Sequence, residues 1–331
     1  MTHAAQRTID GIDLLDYHPS ETSMLDDVLE GLSDPHQKRV PSQYLYDARG
    51  SRLFDDITEL PEYYLTRTEM QLFASNSASI AAFAGPLASV IELGSGSEMK
   101  IERLMGMLER PSAYIPVEIS RTHLVAASAA LQDRHPEFEV LPVCADFTNP
   151  FDVPEPEADH EGRLVFFPGS TIGNFDPERA KDVLRTIRGL LRQGDERDGV
   201  LIGVDLMKPL DVLMPAYDDE AGVTADFTLN VLDRLNRELE ADFDRDAFAF
   251  EARFREGPDR VEMHAVAKEP TSVRIDDRTF QFARGESIHT ESSHKFTTEG
   301  FSELAESCGM RVVERWIDTD HPFAEFGLRR I

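Results

Sequence analysis

The sequence predicts an α/β protein, a doubly wound and mostly parallel sheet joined to a second, smaller α+β unit. Three observations predict it. Short apolar runs recur, each ending on a glycine, an acid or an asparagine. Segments of helical period separate those runs. After Leu206 the pattern changes to two-residue alternation. The 331 residues, 41% hydrophobic and 29% charged, are enough for a full α/β core plus the smaller unit.

The opening strand is Val90, Ile91 and Leu93, which breaks into Gly94-Ser95-Gly96, with Ile101, Leu104, Met105 and Leu108 following at helical spacing. Glycine is required there because a side chain would stop the backbone from turning sharply and touching a nucleotide. Tyr114-Ile115-Pro116-Val117 is the second strand, closed by Glu118, where a carboxylate can hold a ribose. Ser120 is expected to cap the helix bearing Leu124, Ala127 and Leu131. Residues 138–145 read as one strand delivering Asp146 and Phe147, and Leu164-Val165-Phe166-Phe167 as a buried fourth, followed by Gly169-Ser170-Thr171-Ile172-Gly173-Asn174. Asp176 then caps a helix with Pro177 in its first turn, and Val200 to Val204 make the fifth strand. Gly94, Glu118, Asp146, Asn174 and Asp205 all fall at carboxyl ends of strands, where open α/β sheets bind ligands, so one crevice is expected.

The flanks are less regular. Residues 1–14 carry no strong period and are expected to be loosely ordered. Helices are expected through Met24 to Leu32, through Leu53, Phe54, Ile57 and Leu60, and over 68–84. The tyrosines of 44–46 and 63–64 sit at loop boundaries, where packing alone would explain them. A long helix is expected over 216–239 with Tyr217 near its start. Phe248, Phe250, Ala252 and Phe254 alternate, Gly257-Pro258-Asp259 turns, and Val261, Met263 and Ala265 alternate back as a β-hairpin. The unit continues to His289-Thr290-Glu291-Ser292-Ser293-His294. The tail returns to the first sheet as a helix through Phe301 and a closing antiparallel pair. The expected division is 68–205 plus 296–331 for the nucleotide unit and 15–67 plus 206–295 for the second.

Composition narrows the partners. A net charge of −28 leaves no basic stripe for nucleic acid, and the acids are spread along the chain as a solubility surface would have them. No apolar stretch reaches membrane-spanning length, and no basic-then-apolar leader opens the sequence. Cys144 and Cys308 have no pairing or metal spacing, which reads as reduced and cytoplasmic.

A dinucleotide fingerprint wants glycine or alanine three positions after Gly96, but Met99 stands there, and Glu98 would repel a pyrophosphate. A phosphate-free adenosyl ligand fits better. S-adenosylmethionine has a ribose for Glu118 and a cationic sulfonium, and by analogy the closing antiparallel pair favours methyl transfer on a Rossmann-like class I methyltransferase sheet.

With these residues in hand, the chain resembles the histidine-specific, S-adenosylmethionine-dependent methyltransferases of the ergothioneine pathway, which methylate the α-amine of L-histidine to give hercynine. The resemblance rests on Tyr46-Asp47-Ala48-Arg49-Gly50-Ser51, Leu60-Pro61-Glu62-Tyr63-Tyr64, Glu92-Leu93-Gly94-Ser95-Gly96, Gly169-Ser170-Thr171-Ile172-Gly173-Asn174, Ala216-Tyr217-Asp218-Asp219, Asn236-Arg237-Glu238-Leu239 and Thr290-Glu291-Ser292-Ser293. It implies that Gly94, Lys100, Glu118, Asp146 and Phe147 hold the cofactor, Glu118 standing where the family often has aspartate. It further implies that Asn174 and Tyr217 bind the substrate carboxylate and fix the amine, that Tyr63 completes that pocket and that Tyr46 lies near the amine. Glu291 and Ser293 would bond the imidazole, and Met263 would pack against it.

Elementary chemistry supports part of this. Residues two apart on a strand share a face, so Glu291 and Ser293 project together and can serve both imidazole nitrogens, one as acceptor and one as donor. His289 is expected on the Glu291 face, but no third ligand has metal spacing, and no metal is expected. Without the family blocks, Asn174 reads as a helix-entry turn and Met263 as core filler. The expected reaction is in-line attack of the neutral amine on the sulfonium methyl, three times over, by a monomer acting on a small molecule. Alternatives are an N-methyltransferase for tryptophan or a histidine derivative, and a non-catalytic S-adenosylmethionine-binding module.

Overall fold

The computed structural model describes residues 5–9, 12–17, 24–95 and 98–331, and the chain divides into two units. The first comprises the described residues of Met1–Ser20, Arg67–Leu206 and Phe296–Ile331; the second comprises those of Glu21–Thr66 and Met207–Lys295. Leu15, Asp16, Tyr17, Arg67 and Leu206, expected with the second unit, fall in the first by this division. Gly96, the second glycine of the turn, lies outside the described residues.

The first unit is built on a ten-stranded sheet. Its parallel centre runs in the order Val143–Cys144, Ala113–Glu118, Ser89–Leu93, Arg163–Phe167, Gly199–Asp205. Phe323–Arg330 then pairs antiparallel with Gly199–Asp205, and Met310–Asp318 pairs antiparallel outside it. This is the expected doubly wound, mostly parallel sheet with its closing antiparallel pair. The central strands are mostly apolar because helices cover both faces; every residue of Ser89–Leu93 and Gly199–Asp205 is buried. Phe166, Phe167, Phe301, Phe323 and Phe326 are almost wholly removed from water, each stabilising the unit by about 1.5–3 kcal/mol.

Local chemistry places most helices where the spacing expects them. Asp176 accepts from the amides of Glu178 and Arg179 at 3.1 and 3.0 Å, with Pro177 in the first turn, and the helix Pro177–Leu190 buries Ala180, Val183, Leu184 and Ile187. Ser120 precedes Arg121–Arg134 but makes no side-chain cap. The Glu118 carboxylate accepts from the Ile119 and Ser120 amides instead, at 2.8 and 3.1 Å. The helix expected over 68–84 starts earlier, as Tyr64–Ala84, and is bent at Asn76, whose side chain bonds back to the Leu72 carbonyl.

Two differences lie at the edge of this sheet. Residues 138–145 form two short strands, Glu139–Val140 and Val143–Cys144, because Pro142 between them has no N–H for the ladder. The stretch expected to be loosely ordered contains a hairpin, Ala5–Ile9 with Ile12–Asp16, whose second strand pairs parallel with Val143–Cys144. Leu14 packs with Leu124, Val125 and Cys144, and the fully buried Asp16 carboxylate is met by Arg121 at 2.9 Å. Too few apolar positions recur in so short a hairpin to announce it.

The second unit pairs a three-stranded antiparallel sheet, ordered Ser287–His294, Arg260–Ala267, Phe248–Arg255, with the ribbon Thr271–Ile275 and Arg278–Phe282. Its longer helices are Met24–Leu32, Ala48–Glu59 and Val223–Leu239. The last is shorter than the expected 216–239: Gly222 takes φ 75°, and Asp219 accepts from the Val223 and Thr224 amides at 2.8 Å each. Tyr217 consequently sits on the loop before the helix.

Candidate active site

In the first unit the expected cofactor residues gather at the carboxyl ends of the parallel strands. Gly94 follows Ser89–Leu93 with φ 72°, and a Cβ built on it would lie 3.6 Å from the Phe147 ring. The positive φ is what calls for glycine at this turn, and the ring it faces is itself steadied edge-on by Phe167 and Phe175. Glu118 ends its strand with one carboxylate oxygen on two backbone amides, a grip that orients the other. Burial raises its pKa, with the two amides working against that rise. Asp146 accepts from the Thr148 amide and hydroxyl and from Asn149, so its carboxylate shapes the loop that carries Phe147. Asn174 ends the short turn Thr171–Asn174, entered through Gly169 and Ser170, both with positive φ.

Lys100 is held differently from a simple ligand contact. Its ammonium pairs with the buried Glu69 at 2.5 Å and lies against Gly169, whose amide donates to the other Glu69 oxygen at 2.6 Å. Glu325 is buried beside Glu69, and desolvation, then the neighbouring Glu69 charge, push its pKa well above the carboxylate range. Gly203 makes room for both acids: a Cβ there would stand 2.6 Å from Glu69 Oε1 and 3.0 Å from Glu325 Oε1. Under the same turn Glu92 accepts from the Tyr114 hydroxyl, and burial lifts it to about 8. Sequence reading missed Glu69 and Glu325. The available signal was a carboxylate between Ala324 and Phe326 in the apolar run from Phe323 to Leu328.

In the second unit the antiparallel register assembles the expected substrate residues. Met263 pairs with Glu291 and Val261 with Ser293, so all four share one face of the sheet. Tyr46 donates to Glu291 Oε1 at 3.4 Å, and its ring packs edge-on against Phe54 and Phe227, with Tyr63 on the far side of Phe54. Burial, opposed by weaker downward pulls from the Tyr46 hydrogen bond and the Lys295 charge, sets the Glu291 carboxyl at about 7. Desolvation, and after it the Glu291 charge, raise the Tyr46 phenol well above its ordinary value. The Tyr217 hydroxyl is 2.9 Å from Ser293 Oγ, and both hydroxyls accept from Lys295 Nζ, at 2.6 and 2.8 Å. Lys295 was not expected, although the two-residue period that joins Glu291 to Ser293 reaches it.

His289 is not on the Glu291 face. The register slips between Met263 and His264, leaving Thr290 as the extra residue, and His289 pairs with His264 instead. Adjacent residues of a strand face opposite ways, so Glu291 follows Met263 and His289 follows His264, with the two imidazole rings 5.2 Å apart. His264 bonds Glu262 at 3.1 Å, and Glu262, with Arg255 and Arg260 also on it, falls to about 2 despite its burial. Desolvation lowers His264 to about 4, so this opposite face is a neutral-histidine, ion-paired layer. Among the described residues no group of histidines, cysteines and acids is spaced to hold a metal, and no helix is long and apolar enough to cross a membrane.

The donor set of the first unit suits an adenosyl ligand without phosphate. It offers carboxylates, a glycine turn and an aromatic ring, and its buried lysine is already neutralised by Glu69. Comparison with known proteins points the same way. A family model described as histidine-specific, S-adenosylmethionine-dependent methyltransferase matches residues 24–330. A histidine N-alpha-methyltransferase of Mycolicibacterium smegmatis is 42% identical over 91% of this chain and 92% of its own length. One from Mycobacterium tuberculosis is 38% identical with the same coverage. An ergothioneine biosynthesis protein of Neurospora crassa is 27% identical over 84% of this chain but only 32% of its own length. A match running nearly end to end, on a sheet of this order, means that the chain belongs to the histidine-specific, S-adenosylmethionine-dependent methyltransferases.

Proposed function

We propose that the protein transfers methyl groups from S-adenosylmethionine to the α-amine of L-histidine, three in succession, giving hercynine for ergothioneine biosynthesis. The observation that carries the substrate half is the face shared by Met263, Glu291, Val261 and Ser293. On it a carboxylate and a hydroxyl can meet the two nitrogens of one imidazole, the thioether packing against the ring. Tyr63, Asn174 and Tyr217 take the amino-acid end in this reading. Gly94, Lys100, Glu118, Asp146 and Phe147 would hold the methyl donor, which supplies an electrophilic methyl on a sulfonium.

The chain's own contribution is mainly positioning. The leaving thioether is neutral, so no general acid is needed, and orienting the two reactants supplies most of the acceleration. Tyr46, with its pKa raised well above the phenol range, stays protonated and acts as a donor to Glu291. The amine proton leaves between transfers to water or to a nearby hydroxyl such as that of Tyr46. Tyrosine faces around the nitrogen tolerate the cation as it grows. The same reading has the enzyme working as a cytoplasmic monomer without a metal.

The test is mass spectrometry of histidine incubated with S-adenosylmethionine and the purified protein. Gains of one, two and three methyls, with the third accumulating, support the reading. Product that stops at one methyl sinks the triple transfer, and methylated tryptophan with untouched histidine sinks the substrate.

A further inference from the structure

Lys295 is a buried charged residue beside the substrate face to which no role has been given above. It is 6% exposed and stands just beyond Ser287–His294, its amide still bonded across to the Asp259 carbonyl at 2.8 Å. Its ammonium lies 4.6 Å from the centre of the Tyr217 ring and within hydrogen-bond distance of the Tyr217 and Ser293 hydroxyls. A buried ammonium needs such partners, but these particular partners have a consequence for what the site can recognise.

An ammonium only donates. The Tyr217 and Ser293 oxygens must both accept from Lys295, so neither hydroxyl proton can point at it. The two hydroxyls are also 2.9 Å from each other, and one proton must lie between them. The phenol is the stronger acid and the serine oxygen the better acceptor, so Tyr217 donates to Ser293. Ser293 then has both lone pairs committed, and its own proton is directed away from the lysine.

From this we propose that Lys295 is a specificity-determining positioning residue: through Tyr217 it locks Ser293 as a hydrogen-bond donor, opposite in polarity to the acceptor Glu291. The inference rests on the histidine reading above and deepens it. A donor and an acceptor of fixed polarity on one face suit a neutral azole with one N–H and one bare nitrogen. They reject a ring with an N–H alone, because the Ser293 proton would be left buried without an acceptor.

The experiment compares histidine with a pyrrolylalanine, which keeps a ring N–H but has carbon where histidine has its acceptor nitrogen. Binding of each is measured by calorimetry in the presence of S-adenosylhomocysteine, for wild type, Lys295→Met, Lys295→Arg and Ser293→Ala. Wild type should favour histidine by about ten- to hundredfold, the range expected for leaving a buried polar group unpaired. Lys295→Met should bring the two ligands within a few fold by weakening histidine alone, with affinity for S-adenosylhomocysteine unchanged. Lys295→Arg, which keeps charge and donors, should retain most of the preference. Ser293→Ala should lose it, and combining it with Lys295→Met should cause no further loss.

Wild-type preference retained in Lys295→Met overturns the proposal. So does equal loss of cofactor and histidine binding in that variant, which would mark a purely structural lysine. If Lys295→Met does not fold, Lys295→Arg and Ser293→Ala decide alone: the proposal stands only if the first keeps the preference and the second abolishes it. Wild type that does not bind histidine at all refutes the substrate reading itself, and the lysine's role falls with it.

Discussion

Replacing Glu291 with glutamine keeps the shape of the side chain and an acceptor oxygen but removes the charge. Burial lifts the Glu291 carboxyl from its ordinary 4.5 to about 7. For a group raised in the folded state, the stabilising contribution is complete below the unfolded value and is lost as pH climbs through the folded one. The span from 4.5 to 7, at 1.36 kcal/mol for each pH unit, corresponds to about 3 kcal/mol that wild type forfeits on reaching neutral to basic pH. Glutamine forfeits none of it. The isoelectric point near 4.6 makes acid solutions unsuitable, so the useful window is about pH 5.5 to 8.5, over which the stability gap should widen by about 2 kcal/mol. For a chain of this size that is a few degrees in melting temperature. Differential scanning of ligand-free wild type and Glu291→Gln, at constant ionic strength across that window, measures it. A gap that stays constant, or widens towards acid, refutes the reasoning. In the same preparations Glu291→Gln should bind histidine more weakly, so the variant gains stability while losing function.

Three further expectations concern the first unit. Gly94→Ala places a Cβ on a backbone with φ 72° and should cost about 1 kcal/mol of stability. It should also weaken S-adenosylmethionine binding measured by calorimetry, because the turn meets the Phe147 ring. Lys100→Met strands the buried Glu69 and should destabilise by about 3–5 kcal/mol in urea unfolding, whereas adding Glu69→Gln should recover most of the loss. Asp176→Ala removes acceptors from two helix amides and should lower the urea midpoint by the equivalent of about 1 kcal/mol, with cofactor affinity unchanged.

What could be read in the sequence was whatever depends on local period and on the chemistry of turns. The apolar runs through Ile91, Ile115, Val165 and Ile202 became neighbouring parallel strands because residues buried on both faces leave no other reading. Asp176 was legible as a cap because capping needs only the residue and the helix behind it. What depends on pairing was not legible. The slip at Thr290 is a one-residue choice made by the partner strand, and it moved His289 off the face where simple alternation had put it. The Glu69, Lys100 and Glu325 cluster draws on a helix before the glycine turn, the helix after it and the last strand, and no local pattern ties those together. Lys295 stood in plain view two residues beyond Ser293, but its meaning came only with the two hydroxyls beneath it.

The order of strands also carries a consequence for synthesis. Phe323–Arg330 lies between Gly199–Asp205 and Met310–Asp318, so a strand made after both of its neighbours fills an interior place in the sheet. Until it emerges from the ribosome, one side of the wholly buried Gly199–Asp205 strand is left with unmet backbone groups, a template for joining other chains. A nonsense codon at Phe323 should therefore yield aggregates, and nascent chains stalled shortly before Phe323 are where chaperone crosslinking should be densest.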